Sequence, residues 1–205
     1  MRRHPLAPAI IVCAALLGCG GKGGNDHGGT VIPPPPPALA FACSDSPPLP
    51  DQVVMQCEYQ QKADVWQISV DIGYPTTSTN IAGFAFDVLI DPRVLTYVPG
   101  SAKMGNMLFQ STAAPLLVVD TLPGDPVRLV VGINLTEGAH GVQGLPSYHQ
   151  IMLFSVQAVP GAEFDVEPLH LTFDKQRSQA LDDSPVQAQQ IDSITFSDQI
   201  LLSRQ

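Results

Sequence analysis

Any chemistry in this chain would have to come from a small set of side chains. Beyond the first few residues the histidines are His27, His140, His149 and His170. They fall in a glycine-rich stretch and in separate loops or strand ends, where an imidazole is usually solvated or locally bonded. Paired carboxylates occur at Asp182-Asp183 and at Asp120 with Asp125. Glycoside hydrolysis needs two carboxyls held about 5–10 Å apart across a sugar cleft, and neighbouring loop acids do not imply that arrangement. Clustered loop oxygens also suit weak calcium binding, but no set of residues singles itself out as a metal site. There is no Gly-x-Ser-x-Gly elbow, no His-Glu-x-x-His and no glycine-rich phosphate loop opening a helix. The residues therefore read as non-catalytic, with no cofactor. Sugar recognition would use aromatic platforms, and the candidates are Trp66, Tyr59, Tyr74, Tyr97 and Tyr148. No row of aromatics at i, i+2 spacing appears; Trp66 opens a strand and reads as a core or rim residue.

The four cysteines carry more information. Residues 1–18 place Arg2 and Arg3 ahead of an apolar run from Leu6 to Leu17. That is the pattern of an export signal, and the run is shorter than the roughly 20 residues a spanning helix needs. It ends in Leu16-Leu17-Gly18-Cys19, which resembles the lipobox of bacterial lipoproteins. The resemblance implies cleavage before Cys19 and a diacylglycerol on its thiol, hence attachment to a membrane by acyl chains. Gly20 stands where an inner-membrane retention acid would be, which points to the outer membrane of the cell envelope. Cys13 then leaves with the signal, and Cys43 and Cys57 remain for an oxidising compartment. They are read as a disulfide, against two free thiols or a ligand pair without partners. Such a bridge closes a loop of about 15 residues, worth roughly 3 kcal/mol on the chain-entropy estimate. A net charge of −9 excludes nucleic acid and anionic membrane surfaces as partners, since both call for basic patches.

The elements that must position these residues are strands. Residues 19–50 form a tether: GGKGGNDHGG is flexible, and Pro33–Pro37 stiffens into polyproline II. From Asp51 onward, short apolar runs alternate with Gly and Pro punctuation: residues 65–72, 81–90, 94–98, 116–120, 127–133, 150–159, 169–173 and 191–202. Runs of this length and composition are strand signals. Helix signals are weak throughout, and the best candidate, Gln176–Leu181, is a turn or two long. Roughly eight or nine strands over residues 51–205 predict an all-β antiparallel β-sandwich with jelly-roll topology.

The stretch from Trp66 onward resembles a cohesin-type domain of the jelly-roll superfamily that also includes certain carbohydrate-binding modules. The alternating strand Gln67–Ile72 precedes IAGFAFDVLIDPRVL, residues 81–95, a small residue and alternating hydrophobics closed by Asp-Pro-x-Val-Leu. Val127–Asn134 and Ile151–Val159 match later strands of the same order. The resemblance implies a non-catalytic adaptor that binds a protein partner, dockerin-like or another envelope protein, through one sheet face. It places Gly83, Ala85 and Asp87 on that face, although dockerin-binding cohesins carry polar contact residues where this chain has Gly83 and Ala85. The alternative is a surface lipoprotein that binds polysaccharide.

Overall fold

The computed structural model describes residues 41–62, 64–111, 113–136, 139–163 and 169–204. The expected signal peptide, Cys19 and the tether as far as residue 40 lie outside the described residues. Thirteen strands follow in order: β1 (Phe41–Ser44), β2 (Gln52–Lys62), β3 (Val65–Ile72), β4 (Ile81–Ile90), β5 (Leu95–Tyr97), β6 (Lys103–Met104), β7 (Pro115–Leu122), β8 (Val127–Leu135), β9 (His149–Ala158), β10 (Leu171–Phe173), β11 (Gln179–Asp182), β12 (Thr195–Ser197) and β13 (Leu201–Arg204). Among the described residues one 3-10 turn, Leu108–Gln110, interrupts them.

The strands form two facing sheets and a clasp. One sheet runs β12-β2-β3-β9-β5, with β6 on the same edge of β9 as β5; the other runs β10-β4-β8-β7, with β11 continuing along β4 beyond β10. The pair β1–β13 forms the clasp. All pairings are antiparallel except β12 with β2, which is parallel. This is the expected all-β sandwich.

Alternation explains the layering. Along β4, Phe84, Phe86, Val88 and Ile90 are fully buried and meet Leu129, Val131 and Ile133 of β8 in one core with Ile68, Val70 and Ile72 of β3. Burying each such side chain contributes about 1.5–3 kcal/mol. Phe86, Phe173 and Phe196 form a cluster with centroids 5.2–5.9 Å apart that joins the two sheets. The stop after β4 works through its aspartate. The Asp91 carboxylate accepts from the Arg93 N–H at 3.0 Å, and its carbonyl accepts from the N–H groups of Val94 and Leu95, while Pro92 ends the ladder.

Three expectations require correction or extension. Gln176–Leu181 is not helical: Asp174 organises a turn by accepting from the Gln176 N–H, and β11 then pairs with β4 so that Ala180 is buried. A short helix there would leave that methyl, and the edge of β4, uncovered. The run 191–202 is two strands: β12 joins the six-stranded sheet and β13 the clasp. Finally, the folded region begins ahead of Asp51. β1 lies within the stretch read as tether, and its Cys43 is bonded to Cys57 of β2, with Cα atoms 6.1 Å apart.

Candidate functional site

The outward face of the five-stranded sheet is set by register. Gly83, Ala85, Asp87 and Leu89 of β4 stand opposite Asn134, Gly132, Val130 and Arg128 of β8. These in turn stand opposite Leu116, Val118, Asp120 and Leu122 of β7. Because side chains alternate across a strand, Leu117 and Val119 turn to the core and their neighbours turn to solvent. Leu116, Val118 and Leu122 are 62%, 57% and 45% exposed.

The three β4 residues expected on a binding face differ in access. Gly83 is buried because the adjacent strand closes on it: a Cβ there would lie 2.5 Å from the Ile133 carbonyl oxygen and 2.6 Å from the Asn134 Oδ1. Asp87 is buried beside Arg128, whose Nε lies 3.6 Å from its Oδ2. Ala85 is half-buried, and opposite it Gly132 has open space where a Cβ would project. The accessible surface is thus a low floor at Ala85 and Gly132, bordered by the apolar β7 row. Sequence reasoning missed that row, although the unbroken apolar run Leu116–Val119, with Leu122 beyond, carried the signal. A strand apolar on both sides has two faces to cover. β7 is also the terminal strand of its sheet, an edge that soluble proteins usually protect with charge or proline.

The other candidates are engaged in holding the fold. The Asp91 carboxylate accepts from both Arg93 Nε and Nη2 at 2.9 Å, and Nδ1 of the buried His170 lies 3.1 Å from its Oδ2. The Arg93 hydrogen bonds, aided by that of His170, hold the Asp91 carboxyl well below the usual carboxylate range. Asp182 and Asp183 diverge. Asp182 accepts from the Ser184 hydroxyl and the Gln189 N–H; Asp183 accepts from the Asn80 amide and the Gly141 N–H, with His140 Nδ1 at 3.8 Å. Those hydrogen bonds lower both carboxyls and spend them on loop anchoring. Asp120 and Asp125 are exposed near the β7–β8 turn. Trp66 packs against the core, and Tyr74 and Tyr148 are the exposed tyrosines among the described residues.

No family model and no curated protein matches the sequence. Solved structures do. The type II cohesin A11 from Bacteroides cellulosolvens is 12% identical, with a TM-score of 0.54 over 74% of this chain and 98% of that one. A type II cohesin–X-dockerin complex from Acetivibrio cellulolyticus aligns at 12% identity and a TM-score of 0.47, covering 72% and 93%. The cohesin module of a family 33 glycoside hydrolase from Clostridium perfringens ATCC13124 aligns at 9% and 0.38, covering 81% and 93%. At such identities the likeness is one of fold, and the Bacteroides cellulosolvens module carries it. That likeness gives the described region the fold of a type II cohesin module.

Proposed function

We propose that the chain is a non-catalytic, lipid-anchored envelope protein whose cohesin-type domain binds another protein through the outward face of its five-stranded sheet. The observation that carries this reading is the exposed β7 row, Leu116, Val118 and Leu122, beside the low floor of Ala85 and Gly132. Exposed apolar side chains grouped on one sheet face, here Leu116 and Val118 next to each other with Leu122 beyond Asp120, mark interaction sites. A flat floor of small side chains lets a partner backbone come close, and the flanking leucines and valine supply the area that excludes water. The partner would be dockerin-like, the kind of module seen bound to the Acetivibrio cellulolyticus cohesin, or another envelope protein. Since the face offers the Arg128–Asp87 pair and Asp120 as its charges, apolar fit rather than ion pairing would set the affinity.

The test is capture from envelope extract with the soluble domain and with a Leu116→Asp/Val118→Asp variant. Both positions are exposed, so the variant should fold. The expected result is a protein retained by the parent domain and lost with the variant; identical retention by both would overturn the reading. The anchor is tested separately. Mass analysis should find the mature chain starting at Cys19 with acyl mass added, and an unmodified Cys19 would remove the anchor.

A further inference from the structure

The outer face of the other sheet carries a different surface. An open cavity of about 390 Å³ lies over β2, β3 and β9, with Gln56, Glu58, Asp71, Asn106, Tyr148 and Gln150 in its wall. Its volume falls within the ~300–1,000 Å³ typical of small-molecule sites. Most such sites are lined by apolar groups, whereas here amides, carboxylates and one tyrosine predominate.

The floor of the cavity is set by the register of the sheet. Asp71 pairs across strands with Gln150, and Gln56 with Ser69, which puts all four on one face. Ser69 and Asp71 are 1% and 4% exposed, and the Ser69 hydroxyl donates to Asp71 Oδ2 at 2.6 Å. The loop bearing Asn106 is drawn onto β9. Gly105 donates its N–H to the Ile151 carbonyl at 2.8 Å, and a Cβ on Gly105 would lie 2.2 Å from the Gln150 carbonyl oxygen. Asn106 Oδ1 accepts from the Gln150 N–H at 3.2 Å, leaving its amide NH2 as a donor for the cavity. Tyr148 stands at the edge, 62% exposed.

We infer that this cavity binds an uncharged saccharide, with Tyr148 against a ring face and Asp71, Asn106 and Gln150 meeting its hydroxyls. Three features select that chemistry. Amides and carboxylates match groups that both donate and accept. The lining holds Asp45, Glu58 and Asp71 and no Lys, Arg or His, which disfavours acidic sugars. An exposed tyrosine presents an apolar ring with a polar tip, suited to the C–H face of a pyranose. Burial pushes the Asp71 carboxyl up to about 6, with Glu58 and Asp45 adding like charge, so a hydroxyl donor to it replaces water that burial has removed. The site is on the opposite sheet from the face proposed for a protein partner, so the two readings stand or fall separately.

Calorimetric titration of the soluble domain with cellohexaose, xylohexaose and N-acetylated chitohexaose, and with hexagalacturonate as the acidic counterpart, tests the inference. At least one uncharged chain should bind, and hexagalacturonate should bind at least tenfold more weakly. Tyr148→Ala and Gln150→Ala should each weaken binding roughly tenfold, about the worth of one good contact, while Tyr148→Phe keeps most of it. The Leu116→Asp/Val118→Asp variant should bind saccharide as the parent does. Absence of binding by all three uncharged chains, equal binding of hexagalacturonate, or affinity unmoved by Tyr148→Ala would overturn the inference.

Discussion

Asp71 and Asp91 respond to acid in opposite directions. The Asp71 carboxyl is raised from 3.8 to about 6 in the folded chain, chiefly by burial. Between those values the folded state holds a proton that the unfolded state releases, so stability falls as pH rises through the window. The cost is absent below about pH 4 and complete above about pH 6, on the order of 3 kcal/mol at 1.36 kcal/mol per unit. Asp71→Asn keeps an acceptor for Ser69 and removes the charge. Urea unfolding should show it more stable than the parent by about 2 kcal/mol at pH 7, with no gain at pH 4. Equal effects at both values would show that Asp71 ionisation is not responsible. Asp91 is lowered by its Arg93 hydrogen bonds, so its contribution is present above the ordinary carboxylate value and lost as pH falls below it. Asp91→Asn should cost about 1 kcal/mol at neutral pH and progressively less in acid. A loss independent of pH would assign the effect to turn geometry alone.

Within the strands, two glycines on one face give a sharp contrast. Gly83→Ala pushes a methyl into the backbone of β8 and should destabilise by about 1–3 kcal/mol. Gly132→Ala enters open space and should lie within about 1 kcal/mol of the parent or be slightly stabilising. Thermal unfolding of the two variants checks this, and similar losses would contradict the register of β4 against β8. Much at this level was legible in the sequence because it is local: the alternation of β3 and β4, the Asp91-Pro92 stop, and the Gly and Pro punctuation between β7 and β8. Other features depend on distant partners. β2 is an interior strand, but Gln56, Glu58, Gln60 and Gln61 dilute its apolar alternation. β11 looked helical because Gln176–Leu181 has no β-branched residues, and only the open edge of β4 makes it a strand. The crowding that buries Gly83 comes from Ile133 and Asn134, and the roof over Asp87 from Arg128, so accessibility along one row could not be read from that row.

For the molecule as a whole, the question is what holds its beginning to its body. β1 pairs with β13, placing Phe41 opposite Arg204, so the two ends of the described region lie side by side. Leu202 and Ile200 bury into the core near the clasp. The disulfide spans a sequence separation of 14, and Cys57→Ser should lower stability by about 3 kcal/mol under oxidising conditions. Under reducing conditions it should match the parent; equal loss in both would mean the bridge contributes nothing.

The same bond determines how tension would travel through the domain. A pull on the chain upstream of Phe41 reaches Cys43 within three residues. There it is handed covalently to Cys57, in a strand flanked on both sides by β12 and β3. Residues 44–56 are taken out of the load path, and the weakest link becomes the hydrogen-bond ladders of β2 rather than the four-residue clasp. Once the clasp yields, reduction would free the segment ahead of β2, residues 44–51, roughly 25 Å of extended chain, before the ladders of β2 carry the load. In the proposed arrangement, with the chain anchored on its N-terminal side and a partner on the opposite sheet, the bridge would turn a peelable attachment into one loaded through the middle of the sandwich.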